Sequence, residues 1–181
     1  MTQMVFIHGP GAGGCADSFV YQLRYYQGSL APTLPGHPDG TPCPNVERYT
    51  EWLRGWLWSK GKQKDLVLVG YTLGGCIALQ YALDYPDEVK ALVLMTTGMR
   101  PRERPPGALE FRLKAAADPE TYRQWLETMR HQFLFMKPDL RDHLVECHRK
   151  VGPLSQHRDF VALDHFDVRE RIHTLKPPLL L

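Results

Sequence analysis

Between Leu66 and Leu83 the chain carries no charged residue, and this stretch constrains the fold more than any other. Its length approaches the ~20 apolar residues of a membrane-spanning helix. Yet it contains Gly70, Thr72, Gly74, Gly75 and Gln80, and its texture changes along its length. Leu66-Val-Leu-Val69 has the composition of a buried strand, Gly70 to Gly75 that of a sharp turn, and Leu73–Leu83 that of a helix. A strand running straight into a buried helix accounts for all of it, and the membrane reading is set aside.

The flanking segments repeat the alternation. Val5-Phe-Ile-His8 is a short apolar run that ends in glycines, and it reads as a second buried strand. A helix is expected over Ala16–Tyr26, and another short strand over Ser29–Ala31, closed by the turn-rich Pro32–Pro44. Asn45 can cap a helix whose Val46, Tyr49, Trp52, Leu53, Trp56 and Leu57 share one face. Val89–Met95 is a further strand. Strands and helices alternating at this spacing predict an α/β fold, a mostly parallel sheet flanked by helices on both faces.

After Gly98 the texture changes. Arg100-Pro-Arg-Glu-Arg-Pro-Pro106 is a linker with three arginines. Asp118-Pro119 opens a helix with Tyr122, Trp125, Leu126, Met129 and Phe133 on one face, and Pro138 opens another through Leu140, Leu144, Val145 and Val151. The expected organisation is therefore a core over 1–98, a helical insertion over 99–164, and a return to the core over 165–181. In the return, Val168–Ile172 is a short helix or turn, and Lys176-Pro-Pro-Leu-Leu-Leu181 begins like a strand.

Composition excludes several functions. The 181 residues hold 22 Lys and Arg against 20 Asp and Glu, a net charge of +2. So weak a balance gives no footprint for nucleic acid or for an acidic membrane surface. With 43% hydrophobic residues the chain can bury a sizeable core. Four cysteines, Cys15, Cys43, Cys76 and Cys147, stand far apart without a C-x-x-C pair. They read as free thiols in a reducing, cytoplasmic compartment, and the N-terminus shows no secretory signal.

Gly70-Tyr-Thr72-Leu-Gly74 resembles the nucleophile elbow of the α/β-hydrolase family, in which the central residue is normally Ser. Three further stretches are similar to the same family in the right order. They are Val5-Phe-Ile-His8-Gly9, Ala31-Pro-Thr-Leu-Pro-Gly-His37 with Thr33 where Asp is usual, and Pro86–Leu94. The helical insertion fits the family's cap. The resemblance covers essentially the whole chain. It implies hydrolysis of a carboxylic ester or a related small-molecule bond, with no cofactor and no metal. Thr72 would be the nucleophile, and an oxyanion hole would be formed by Leu73 and the loop carrying Pro10 and Gly11. Trp125, Met129 and Phe133 are candidates for an apolar substrate pocket, or alternatively for the insertion's own core. The implied partner is a small-molecule substrate. The alternative is a non-catalytic small-ligand-binding protein that reuses the pocket.

Three departures from the family pattern bear on the chemistry. A threonine hydroxyl can attack, but a β-branched residue at a positive-φ elbow costs ~1–3 kcal/mol. Pro10 stands where the second oxyanion donor is usual and has no N–H, and losing such a donor costs about 10²–10³ in kcat. Gly11 can substitute if the loop is shifted by one residue. The acid and the His of the triad follow the nucleophile in this family, so both are expected beyond Leu181. Without them only about 10³–10⁴-fold catalysis over water remains. The apolar Leu179–Leu181 edge likewise leads to the expectation of a truncated strand completed by further chain or by a second polypeptide.

Other residues have rival readings. Gly9-Pro-Gly11-Ala-Gly13-Gly14 satisfies G-x-G-x-x-G between a strand and a helix, but Ala31–Pro35 lacks the acid that a dinucleotide site needs. His143 and Cys147 sit one helical turn apart and could place two metal ligands on one face, but no third ligand is assigned and the expected reading is a solvated polar helix face with one buried thiol. His8 and His37 are expected to shape loops, while His131, His148, His165 and His173 read as surface residues. Arg100, Arg102 and Arg104 are either a solvated linker or a carboxylate-recognising mouth.

Overall fold

A computed structural model describes residues 2–10, 14–100, 104–132 and 136–181. Four parallel strands form one sheet in chain order: β1 Gln3–Ile7, β2 Leu66–Tyr71, β3 Val89–Met95 and β4 Leu179–Leu180. The helices are α1 Val20–Tyr25, α2 Val46–Ser59, α3 Leu73–Asp84, α4 Ala108–Ala117, α5 Pro119–Gln132 and α6 Pro138–Asp164. The fold class is α/β, as the alternating texture predicts. Among the described residues no helix is long and apolar enough to cross a membrane. The uncharged Leu66–Leu83 stretch divides into β2 and α3.

The period-two alternation of the strands sorts their side chains to two faces. Val5, Ile7, Leu66, Leu68, Leu92 and Leu94 point into the main core with Tyr49, Leu53 and Leu57 of α2 and the buried face of α3. Phe6 and Val69 point the other way, onto Phe19 and the half-buried Leu23. Asn45 caps α2, its side chain accepting the Arg48 N–H at 2.9 Å. The helix expected over Ala16–Tyr26 starts as a 3-10 turn, Ala16–Phe19, before α1. The strand expected over Ser29–Ala31 is reduced to a single bridge between Leu30 and Val5. Two backbone bonds hold it, to Met4 and Phe6, and Pro32, which has no N–H to give, follows directly.

The helical segment is α4 and α5 packed with α6. α6 breaks at Gly152, where φ is 78°, immediately before Pro153. A proline inside a helix lacks the N–H and crowds the carbonyl one turn back, so the two halves run in different directions. The first half buries Leu144, Val145 and Val151, whereas Leu163 in the second half joins the main core beside Phe166.

Candidate active site at the β2–α3 corner

Thr72 forms the corner between β2 and α3, with φ 47° and ψ −114°. That is strained ground for a β-branched residue. The corner is possible because its neighbours lack side chains. A Cβ at Gly70 would overlap the Gly74 carbonyl, and one at Gly74 would overlap the Ile7 carbonyl. The helix therefore begins in backbone contact with both adjacent strands. Gly9, just past β1, approaches so closely that a Cβ there would overlap the Thr72 hydroxyl. Thr97 Oγ1 donates to the Thr72 carbonyl at 3.3 Å and holds the corner from the β3 side.

The Thr72 Oγ1 is shielded from solvent and has no hydrogen-bond partner among the described residues. Leu73 is the first residue of α3, where backbone N–H groups have no intrahelical acceptor. Pro10 lies next to Gly9 and offers no donor. Gly11 and Phe133 lie outside the described residues, as does Arg102. A cavity of about 680 Å³ opens beside Thr72 at the C-terminal end of the sheet, where open α/β sheets bind ligands. Cys76, Leu94, Thr96 and Thr97, together with Arg100, Arg104, Phe160 and Leu163 of α6, and Leu181, line it. Among the described residues this lining contains no His, Asp or Glu. Burial pushes the Cys76 thiol up to about 12, so it is a neutral wall group. Another hollow, of about 570 Å³, lies between Arg104–Glu110 and Asp164–Asp167 and does not include Thr72.

The family model described as the alpha/beta hydrolase family matches residues 4–181. The chain belongs to the alpha/beta hydrolase family. The (lyso)-N-acylphosphatidylethanolamine lipase of Bos taurus is 30% identical over 106 residues, which cover 52% of this chain and 30% of the relative. The pimeloyl-[acyl-carrier protein] methyl ester esterase of Aromatoleum aromaticum is 35% identical over 99 residues, covering 52% of this chain and 36% of that one. The chain thus spans about a third of the length of these curated relatives. The enol-lactonase of Burkholderia xenovorans superimposes with a TM-score of 0.80 at 14% identity, over 98% of this chain and 70% of that one. At that identity the likeness is one of fold.

As a hydrolase-family corner, the site brings together Thr72, Leu73 and the Gly9–Pro10 end of its loop. Trp125 and Met129 do not join it. Both are buried within the helical segment, where Trp125 donates its indole N–H to Gln156 at 2.8 Å and stacks on His148 at 4.0 Å. They form the segment's own core, the alternative that their amphipathic spacing leaves open. His148, read from sequence as a surface residue, is buried against that tryptophan. His8 is also buried: Nε2 accepts the Leu34 N–H at 2.9 Å, so Nδ1 carries the proton and donates to Gly9. Desolvation, with repulsion from His37, lowers its pKa to about 3. His8 is a neutral loop anchor. Sequence reasoning missed Phe160, Leu163 and the Thr96–Thr97 turn, because only the tertiary fold brings them over the corner.

Proposed function

We propose that this hydrolase-family chain carries the nucleophile half of an esterase site, with Thr72 attacking the carbonyl carbon of a small carboxylic ester. The observation that carries the reading is the strained Thr72 corner, with its hydroxyl beside Gly9 and next to the cavity. The Leu73 N–H would hold the developing oxyanion, aided by the loop that runs from Pro10 to Gly11. The general base that takes the hydroxyl proton, and the acid that orients it, come from outside residues 1–181. Arg100, at the cavity wall, suits a substrate or product carboxylate.

Hydrolysis of short p-nitrophenyl esters by the complete polypeptide tests this. Activity rises in Thr72→Ser, which removes the methyl from the attack path, and disappears in Thr72→Ala. Unchanged hydrolysis in Thr72→Ala overturns the reading. The same unpartnered hydroxyl supports a second reading, a non-catalytic pocket for a small apolar ligand. In that case Thr72→Ser gives no turnover, while such a ligand binds saturably.

A further inference from the structure

A second cluster of reactive side chains lies away from the Thr72 cavity, where the start of the 3-10 turn at Ala16–Phe19 meets the first half of α6. Cys15 Sγ, a carboxylate oxygen of Asp17 and Cys147 Sγ all lie within 4.8 Å of one another. His143, one helical turn before Cys147, places Nε2 at 2.7 Å from Asp17 Oδ2 and 3.6 Å from Cys147 Sγ. We propose that Cys15, Asp17, His143 and Cys147 form a structural zinc site that clamps α6 to the core. This site is independent of the hydrolytic reading.

The donor set is the first argument. Two thiolates, one imidazole and one carboxylate make a four-ligand set, and mixed sulfur and nitrogen donors select zinc over magnesium or calcium. Geometry is the second. Around tetrahedral zinc, with Zn–S about 2.3 Å and Zn–N about 2.0 Å, neighbouring sulfur and nitrogen atoms stand ~3.6 Å apart. The His143–Cys147 separation already has that value. Two sulfurs stand ~3.8 Å apart in the same geometry, so the thiols, within 4.8 Å of each other, draw in by at most about 1 Å, while the His143–Asp17 pair opens from its hydrogen-bonded 2.7 Å to about 3.3 Å.

The backbone that presents the ligands is fixed. The Ala16 N–H donates to Thr33 Oγ1 at 3.1 Å, and Ser18 returns two bonds to the Cys15 carbonyl. His143 and Cys147 share one face of α6 by their i, i+4 spacing. Cys15 is buried, while Asp17 and His143 are exposed, so an ion can enter from solvent. On coordination each thiol gives up its proton to water. With all four positions filled by protein there is no open position for chemistry, which makes the site structural. It joins residues 126 apart in sequence.

The reduced protein, stripped with a chelator, is titrated with zinc against a chromophoric competitor, and in parallel with cobalt. The expected result is a single zinc per chain, a raised Tm, and a cobalt spectrum with tetrahedral ligand-field bands and a thiolate charge-transfer band. Cys147→Ser and His143→Ala each weaken zinc binding by at least about 10-fold, and Cys43→Ser leaves it unchanged. Wild-type protein that takes up no zinc under reducing conditions overturns the proposal, including where Cys15 and Cys147 instead oxidise to a disulfide in air. So does a cobalt spectrum without the thiolate band, or zinc binding that survives Cys147→Ser.

Discussion

His37 Nε2 lies 2.6 Å from Asp159 Oδ2, with both side chains fully buried, so the loop between α1 and α2 and the second half of α6 are joined by a hydrogen bond across 122 positions. The other carboxylate oxygen accepts the Tyr49 hydroxyl of α2 at 2.6 Å. Three elements therefore meet on one carboxylate, next in sequence to Phe160 of the cavity lining. Removing the carboxylate leaves two buried polar groups without their acceptor, which costs about 1–3 kcal/mol for each. Asp159→Ala is expected to lose that much in urea unfolding. Tyr49→Phe is expected to lose about 1.5–3 kcal/mol, the value of a hydrogen bond to a charged group. The double variant loses less than the sum, because the two bonds share an acceptor.

Two glycines in helices separate close approach from helix propensity. A Cβ at Gly74 meets the Ile7 carbonyl with no room to move, whereas Gly55, exposed on α2, has nothing within 4 Å. Gly55→Ala is expected to stabilise by about 0.5–1 kcal/mol through helix propensity alone. Gly74→Ala destabilises by more than about 2 kcal/mol, since the backbone of α3 must separate from β1. Thermal melts of the two variants shift in opposite directions.

At the corner itself, Thr72→Gly removes a β-branched side chain from φ 47°. Relief of ~1–3 kcal/mol of strain outweighs the ~0.4–1 kcal/mol of added unfolded-state entropy. The variant is expected to be more stable and to have lost the hydroxyl that the proposed reaction uses. A gain in Tm with loss of ester hydrolysis in the complete polypeptide checks both halves.

The β2–α3 corner is legible in the sequence because its causes are local. A Val/Leu run, spaced glycines and an uncharged helix lie within residues 66–83, and each carries its own steric reason. The same holds for the Asn45 cap. The Leu30 strand fades because pairing needs a partner on the far side as well as suitable residues. Trp125 and Met129 show the limit of a helical stripe. Periodicity marks a buried face but not what covers it, and here the cover is His148 and Gln156 of α6. Long-range pairs such as His37–Asp159, or Cys15 beside Cys147, leave no local mark, since either partner alone reads as an ordinary loop or surface residue.

Acid sensitivity follows from His8. Burial foremost, then repulsion from His37, takes its pKa from 6.5 to about 3, against the smaller opposing effect of its bond to Gly9. Between those two values the unfolded chain binds a proton that the folded chain refuses. Stability from this group is therefore complete above pH 6.5 and declines as pH falls toward 3, by about 1.4 kcal/mol for each pH unit. His8→Gln keeps a polar side chain near the Leu34 N–H and cannot titrate. Urea midpoints measured from pH 7 to pH 4 should fall less steeply in the variant, whatever its stability at neutral pH. Parallel curves for the two proteins would place the acid-labile proton elsewhere.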